Sequence, residues 1–497
     1  MREDSMTPAL EPSTLRADFS ASLVVFLVAL PLCVGIAVAS GVPAEVGLVT
    51  GIVGGIVVGA LPGSTFQVSG PAAGLTVLVF EAVQAHGTGA LGAIVLASGL
   101  AQLLLGVLRM GRWFRAISVA VVQGMLAGIG LVLVLGQLYT LTDATAPGSG
   151  PAKITGLPGL VADTLASPQA LSATALGAGT IAVLVLWKRL PGRVPAAVPA
   201  PLAAVALATG ATAAFGLPVD TVGVQGLLDS VNLPGVSDLA ALGDIAMLGT
   251  VLAFTLIASA ESLFSAAAVD RMHDGPRTRF DKELMAQGTG NTVCGLLGAL
   301  PMTAVIVRSA ANVRAGARTR AARVLHGVWL LLFAAFLPAA LGLIPVAALA
   351  GVLVHAGCKL VPGRELVSLW REHRGEAVVL GVTAVAVVAT NLFEGVLLGL
   401  LMAVIKTAWE TSHIHTDVEE CHGRVRVRLT GNATFLRLPR ILDTLEALPQ
   451  DRPVDLDLSG LRHLDHACRT ALTNWAARHA GAGTEPVRTH EPADSAS

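Results

Sequence analysis

The chain has 497 residues, of which 53% are hydrophobic and only 13% are Asp, Glu, Lys or Arg. Soluble proteins carry about a quarter charged residues, so the composition excludes an ordinary soluble enzyme and indicates a lipid environment. The formal net charge of −1 gives no basis for nucleic-acid binding. The five cysteines are scattered and odd in number, which favours neither a disulfide framework nor a metal site.

Charge divides the chain into two parts. Residues 1–409 contain 44 charged residues, whereas the 88 residues of 410–497 contain 23. We therefore expect a membrane domain over residues 19–409, followed by a water-exposed tail. Residues 1–18 form an acidic cytosolic leader in this interpretation. The apolar run that follows is too long for a typical signal peptide, so cleavage there is not expected.

Fourteen apolar segments can be read along the membrane domain, as two sets of seven. Their approximate bounds are 19–39, 45–61, 71–83, 90–109, 116–139, 171–187, 198–214, 245–268, 284–300, 303–312, 324–343, 345–361, 376–391 and 392–409. Several are shorter than the roughly 20 residues that a straight helix needs to cross the hydrocarbon core. We expect an all-α polytopic membrane protein with 14 transmembrane segments, some of them half-helices, and a small α/β cytosolic domain.

Basic residues lie almost entirely on one side of this predicted topology. The loops that follow even-numbered segments contain repeated Arg and Lys, whereas the opposite loops contain Lys153 alone. This is the positive-inside pattern, and it is independent of the hydrophobicity that delimits the segments. It predicts a protein of the cytoplasmic membrane with both termini in the cytosol.

Segments 3 and 10 occupy corresponding positions in the two sets, and each follows a break rich in Gly and Pro. The first break ends at Pro71 and the second contains Pro301. Paired interrupted helices at matching positions point to an inverted-repeat transporter with its substrate between the two helix starts. Proline suits a first helical turn, whose free N–H groups and dipole attract anions. We expect both prolines to begin helices, with the Ser69 and Thr303 hydroxyls as extra donors. Gly and Pro are also common in membrane helices generally, which is the alternative explanation.

Two charged residues fall inside predicted segments, Arg308 in segment 10 and Glu261 in segment 8. Intramembrane charges usually face a cavity or a partner, so Arg308 is the candidate cation of an anion site. The alternative is that it snorkels to the interface beside Arg314. Glu261 can be neutral, bind a coupling cation or pair with Arg308, and Ser265 shares its helix face. A structural hydrogen bond across helices is the alternative for Glu261.

Several runs, in order along the chain, resemble the SulP family of inorganic anion transporters. This family includes bacterial sulfate and bicarbonate carriers and animal exchangers related to prestin. The resemblance covers approximately Asp18–Trp409. The runs are Phe26–Pro43, Gln67–Gly74, Glu261–Ser265, Ala286–Asn291, Leu300–Thr303 and Arg308–Gly316.

The resemblance implies a 7+7 inverted repeat similar to uracil permeases, with a core domain that moves against a gate domain. In the family the anion lies between the starts of segments 3 and 10. Carried over by motif, the substrate-binding residues are Ser69, Gly70, Pro71, Ala72, Thr303, Ile306, Val307, Arg308, Leu32 and Ile36.

Departures from the family pattern leave two questions open. Some members have glutamine and phenylalanine where Leu32 and Ile36 stand, so the anion preference is open. Sodium-using bicarbonate carriers have aspartate and threonine at the positions of Glu261 and Ser265, whereas glutamate is common among carriers thought to use protons. These two residues are therefore coupling-ion candidates for either Na⁺ or H⁺.

The tail begins with a predicted linker at 410–423. Residues 424–480 read as β-α-β-α and resemble a truncated STAS domain. Asp465-His-Ala-Cys468 stands where the family has a serine-rich turn, so we expect dimer packing or folding support there rather than phosphorylation. The polar residues 481–497 are predicted to be disordered.

We therefore expect a secondary active transporter that moves bicarbonate or sulfate by alternating access, coupled to Na⁺ or H⁺. It is not expected to be an enzyme or to need a cofactor or a resident metal. Its expected partners are the lipid bilayer, a second copy in a homodimer and, from wording shared with a bacterial subgroup, a carbonic anhydrase. A passive anion channel and an uncoupled anion exchanger are the alternatives, and chloride and carboxylates also stay open as substrates.

Overall fold

The structure is a computed structural model that describes residues 12–112, 118–190, 198–224, 226–227, 229–421, 423–449, 452–480 and 486–490. Residues 1–11 of the predicted leader and residues 481–485 and 491–497 of the predicted disordered tail lie outside the described residues. The chain forms two compact units, Met1–Gly399 and Leu400–Ser497.

The first unit is helical. Its helices are α1 Pro12–Ala39, α2 Ala44–Val53, α3 Thr76–Val107, α4 Val119–Thr140, α5 Gly150–Thr155, α6 Leu157–Ala166, α7 Pro168–Leu186, α8 Ala200–Phe215, α9 Val236–Ala240, α10 Ile245–Val269, α11 Phe280–Leu296, α12 Ile306–Arg314, α13 Ala321–Phe336, α14 Val346–Leu360, α15 Gly363–Glu372 and α16 Arg374–Ala389. A π-helical turn, Gly54–Val58, continues α2, and a 3₁₀ turn, Ala73–Leu75, precedes α3. The last helix, α17 Leu392–Thr411, contains the boundary between the units.

Each of the fourteen predicted segments contains a helix. Among the described residues, seven helices are long and apolar enough to cross a membrane, and several shorter apolar helices accompany them. Segments 3 and 4 both fall in α3, which is interrupted at Gly87, where φ is 79° and ψ is 165°. Glycine tolerates this left-handed φ because it has no Cβ. The helix α1 begins at Pro12, so residues 12–18 of the predicted leader are helical.

The expectation that Pro71 and Pro301 begin helices is wrong. Pro71 ends a short strand, β1 Ser69–Pro71, and Pro301 directly precedes another, β2 Met302–Ala304. The helices start later, at Ala73 and Ile306. Proline disfavours the helical conformation of the residue before it, so extended backbone at both breaks is consistent with the sequence. The φ angle that the proline ring fixes is compatible with extended backbone, so Pro71 can end a strand.

The helices α3 and α11 pack with their backbones close together. A Cβ added at Gly288 would meet the Leu103 backbone nitrogen at 2.5 Å, and one at Gly295 would meet the backbone of Leu96. Small residues allow such close approach between helices in membranes. This packing fixes the polar face of α11 beside β1 and β2.

The second unit contains a four-stranded sheet in the order β3-β4-β5-β6. Its strands are β3 Ile414–Cys421, β4 Arg424–Ala433, β5 Val454–Leu464 and β6 Arg488–His490, and its helices are α18 Leu438–Glu446 and α19 His466–Ala480. The first strand pair is antiparallel and the other two are parallel. Val427, Leu456, Ile441 and Trp475 belong to one buried apolar core.

Two boundaries of the tail differ from the sequence interpretation. The predicted linker 410–423 contains the end of α17 and strand β3, whose many charged residues hide its strand pattern. Residues 488–490 of the predicted disordered tail form β6, which pairs with Asp455–Asp457 of β5. Strand β6 is exposed and has no apolar alternation, so nothing in its sequence indicates a strand.

Candidate anion-binding site

The two short strands bring the two halves of the first unit together. Strands β1 and β2 pair antiparallel, with Ser69 opposite Ala304, Gly70 opposite Thr303 and Pro71 opposite Met302. All six residues are buried. A helical start follows each strand within two residues, at Ala73 and Ile306. The structure thus places Ser69, Gly70, Pro71 and Thr303 side by side.

Arg308 points at strand β1 from the second half of the chain. Its side chain is completely buried, and Nη2 donates to the carbonyl oxygen of Pro71 at 3.2 Å. A Cβ added at Gly70 would collide with Nη1, so glycine leaves the room that the guanidinium occupies. In the described part of the chain, Nε and Nη1 are buried without a hydrogen-bond partner. A guanidinium with two free donors can bind an oxyanion through a pair of hydrogen bonds.

Glu261 lies against Gly74, three residues after Pro71. A Cβ added at Gly74 would meet its carboxylate oxygens, and its Oε2 is buried without a partner among the described residues. Ser265, one turn further along α10, is also buried. Glu261 and Arg308 form no ion pair within the described residues, so each charge is available to a ligand.

The remaining predicted residues have mixed environments. Ala72 is buried, and Leu32 and Ile36 of α1 are packed in apolar clusters with only 8% and 4% of their surfaces exposed. Ile306 and Val307, at the start of α12, are instead 38% and 53% exposed. The predicted site residues of α1 and the β1 region are therefore more buried than the first two residues of α12.

Polar side chains of α11 hold both strands in place. Gln287 Nε2 donates to Ser69 Oγ at 2.7 Å and to Glu283 Oε1 at 2.8 Å. Asn291 accepts from Met302 N at 2.7 Å and donates to Met302 O at 3.1 Å. These residues lie four apart, so Glu283, Gln287 and Asn291 share one helix face. That spacing is a signal in the sequence, where the run Ala286–Asn291 served only as part of the family resemblance.

Residues of α12 complete this support. Ser309 Oγ accepts from Val68 N at 2.9 Å, and Asn312 Nδ2 donates to Phe66 O at 3.0 Å. Buried extended backbone needs such partners because water is absent in hydrocarbon. These side chains position the strands that carry the candidate site, and sequence reasoning did not single out either residue.

A second group of buried charges contacts the part of the chain that precedes β1. Glu283 Oε2 accepts from Ser64 N at 2.8 Å. Arg323, which the sequence interpretation placed among the basic loop residues, is buried, and it donates to Ser64 O and, at 2.7 Å, to Val58 O. These contacts tie the chain before β1 to α11 and α13.

No group of three or more His, Cys, Asp or Glu side chains that could hold a metal ion occurs in the described ranges. The candidate site consists of a buried guanidinium and a carboxylate with one buried oxygen, beside one pair of antiparallel strands.

Comparison with known proteins identifies the family. A family model described as "Sulfate permease family" matches residues 15–383. The chain belongs to the sulfate permease family. The predicted resemblance to SulP transporters is confirmed, and this family consists of membrane anion transporters, not enzymes.

Relatives within the family carry two kinds of description. The putative sulfate transporter YbaR of Bacillus subtilis is 27% identical over 398 residues, which is 79% of this chain and 76% of YbaR. The bicarbonate transporter BicA of Picosynechococcus sp. is 26% identical over 455 residues, which is 84% of this chain and 75% of BicA.

Solved structures of the family share the fold. The transmembrane domain of a cyanobacterium bicarbonate transporter BicA aligns with a TM-score of 0.65 at 22% identity, covering 80% of this chain and 98% of that chain. The structure of SLC26A9 aligns with a TM-score of 0.78 at 15% identity, covering 96% and 84%. The expectation of a multi-pass helical membrane protein is thereby confirmed.

Proposed function

We propose that this member of the family is a secondary active transporter that moves a small inorganic anion, bicarbonate or sulfate, by alternating access. The observation that carries the proposal is Arg308, a fully buried guanidinium against β1 with two unpartnered donors among the described residues. An uncompensated buried cation is unfavourable, and an anion would supply the missing partner. The names of YbaR and BicA support sulfate and bicarbonate as the anions to test.

The proposed architecture has fourteen membrane segments in a 7+7 inverted repeat, in the cytoplasmic membrane, with cytosolic termini. The matched breaks support it, since each set contributes one strand and one helix start to the same place. The one-sided distribution of basic loops supports the orientation.

In this proposal the anion binds between the helix starts at Ala73 and Ile306. Arg308 supplies the positive charge, and the backbone N–H groups of Gly70 and Ala72 and the hydroxyls of Ser69 and Thr303 supply hydrogen bonds. Pro71 has no N–H and contributes to the site by its position beside Arg308. Leu32 and Ile36 form an apolar wall from α1. The exposed Ile306 and Val307 are on the surface that closes when the protein changes from one open side to the other.

We further propose that Glu261, with Ser265, binds the coupling ion. Its buried Oε2 without a described partner can take up either a proton or Na⁺. Binding of one positive charge beside the anion would make the loaded site nearly neutral, which favours movement of both together across the membrane.

Proteoliposome uptake tests the function. The full-length chain is reconstituted, and labelled bicarbonate or sulfate is added under separately imposed Na⁺ and H⁺ gradients. We expect accumulation beyond the anion's own electrochemical gradient with one of the two ions, and loss of that accumulation in Glu261→Gln. Glu365→Gln, an exposed carboxylate of α15, is the control. Uptake that never exceeds the anion gradient would instead favour a passive channel or an uncoupled exchanger.

The homodimer and the carbonic anhydrase partner are the remaining parts of the proposal. Crosslinking in native membranes tests the dimer, and co-purification from those membranes tests a carbonic anhydrase. Neither is needed for the uptake measurement.

A further inference from the structure

A cavity of about 240 Å³ lies beside the first turns of α3. It is lined by the end of α1, the start of α3, the end of α4, the 144–148 loop and α5. The polar side chains that line it include Thr76, Gln137, Thr140 and Lys153. None of its described lining residues is Asp or Glu.

Lys153 is a buried cation in this lining. Only 5% of its surface is exposed, and Nζ lies 5.5 Å from the centre of the Phe80 ring. The Tyr139 hydroxyl donates to the Lys153 carbonyl oxygen at 2.7 Å, which anchors the short helix α5 against α4. Within the described residues, Lys153 forms no ion pair at 4 Å or less. A nearly buried ammonium without an ion pair is poorly compensated.

A second, independent donor lies in the same cavity. Thr76 is the first residue of α3, only 3% of its surface is exposed, and its Oγ1 is buried without a partner among the described residues. A hydroxyl and an ammonium that line one cavity can both donate to an anion, and the ammonium adds positive charge.

Negatively charged residues near this cavity would weaken anion binding. Glu81 and Glu394 line a neighbouring cavity of about 470 Å³, which shares Gly148 with the first. Glu81 acts on Lys153 electrostatically without forming an ion pair with it. Glu81 therefore reduces the positive potential around Lys153, but neither carboxylate lines the cavity that contains Thr76 and Lys153.

We propose that this cavity is an outer anion-binding site, which holds the transported anion before it reaches the β1–β2 site. The identity of the anion rests on the proposed function. Thr76 lies five residues after Pro71, so the outer site borders the same short segment that carries the candidate central site. Lys153 belongs to the side with no other basic loop residue, so the outer site faces away from the cytosol in the proposed orientation.

Equilibrium binding separates the two sites. The probe is labelled sulfate, with labelled chloride in parallel, on the purified full-length chain in nanodiscs at low ionic strength. We expect two binding sites in the unmodified chain and one in each of Lys153→Met and Arg308→Gln. If Lys153→Met retains every site that the unmodified chain has, the outer site is overturned. If only Arg308→Gln retains every site, the central site of the proposed function fails and the outer site stands.

Sidedness of transport gives a second measurement. We expect Lys153→Met to raise KM about tenfold for anion entering from the outer face, since one charge focuses a small anion at its site, with no change for the inner face. Lys153→Arg should keep the outer-face KM close to that of the unmodified chain. Thr76→Val should raise the outer-face KM by a smaller factor than Lys153→Met does. An equal rise on both faces would assign Lys153 a purely structural role and overturn the proposal.

The matched control is Lys406→Met. Lys406 pairs with Glu410 at 2.8 Å on α17 and does not line the cavity. The Lys406→Met variant loses the same charge and gains the same methionine as Lys153→Met. Because Lys406 is not in the cavity lining, this variant should leave KM unchanged on both faces. A tenfold rise in this control would show that loss of any lysine has the effect, and would contradict a specific outer site.

Discussion

Arg308 has hydrogen-bonding capacity that the described protein does not use. Nη2 donates to the Pro71 carbonyl, while Nε and Nη1 are buried without a hydrogen-bond partner among the described residues. Buried charged donors usually find partners, and the exceptions are often functional. At this scale the side chain itself indicates the sign of the ligand, and its planar fork indicates an oxyanion more than a halide.

Substitution of Arg308 tests that assignment. We expect Arg308→Gln to reduce anion uptake about a hundredfold or more, because a buried charge pair is lost. Arg308→Lys should retain uptake with KM raised about tenfold, since lysine keeps the charge but not the two-pronged geometry. The measurement is uptake into proteoliposomes at matched protein density. Arg314→Gln, an exposed arginine on the same helix, is the control, and equal losses in both variants would contradict the assignment.

Cys468 provides a residue-scale test of the second unit. It is fully buried, and burial together with the neighbouring Asp465 raises the pKa of its thiol to about 12. Thiols react as thiolates, and this thiol stays almost entirely protonated at pH values well below that pKa. In a chain whose other cysteines are replaced by serine, we expect no maleimide labelling of Cys468 up to pH 10 unless the protein is denatured.

The control for Cys468 is a cysteine on the same helix. Asn474 is exposed on α19, so Asn474→Cys in a background without other cysteines should label rapidly at pH 8. Fast labelling of native Cys468 at pH 8 would show that this core is open to solvent.

At the scale of elements, the antiparallel strands β1 and β2 define the site. They are only three residues long, and the hydrogen bonds of Gln287, Asn291, Ser309 and Asn312 supply much of their support. Extended backbone inside a membrane protein is tolerated where other protein groups satisfy it. The strand pair is therefore held by α11 and α12, and α10 adds Glu261 beside it.

Gly70 tests how closely β1 and Arg308 fit. A Cβ at Gly70 would meet Nη1, the flexible end of a side chain, so we expect Gly70→Ala to fold but to displace the guanidinium. Uptake should fall by at least about tenfold, the usual effect of losing a hydrogen bond to a charged group, with the melting temperature nearly unchanged. Gly179→Ala on α7, where nothing lies within 4 Å of the new Cβ, should change neither. Normal uptake by Gly70→Ala would contradict this fit.

The sequence predicts the membrane helices and the strands β4 and β5, but it does not predict the short strands β1 and β2 or the strands β3 and β6. The long apolar runs predict the membrane helices, because a helix that crosses hydrocarbon must be largely apolar. The breaks at Pro71 and Pro301 are visible, and so is the charge of Arg308. The sequence does not show that each break contains a strand, since three residues have no measurable periodicity. It also does not show that Gln287 and Asn291 contact strands, because that depends on the packing of α11 against α3.

At the scale of the whole molecule, the asymmetric charge predicts which loops face the cytosol. Ser237 precedes α10 and Asp274 follows it, and both are exposed. In a chain without other cysteines, we expect a membrane-impermeant maleimide to label Ser237→Cys in intact cells. The same reagent should label Asp274→Cys only in inverted vesicles. The opposite pattern would reverse the orientation, and labelling of both from one side would contradict a membrane crossing by α10.

The pairing of Gly70 with Thr303 has a consequence for biosynthesis. Strand β1 leaves the ribosome long before its partner has been translated, and unpaired extended backbone in hydrocarbon is unfavourable by several kcal/mol for each unsatisfied group. The first half of the chain must therefore be inserted in an incomplete form and stay shielded until β2 arrives. An N-terminal fragment alone would present an open strand to membrane quality-control proteases, whereas two co-expressed halves, separated in an exposed loop, contain everything that the paired strands require.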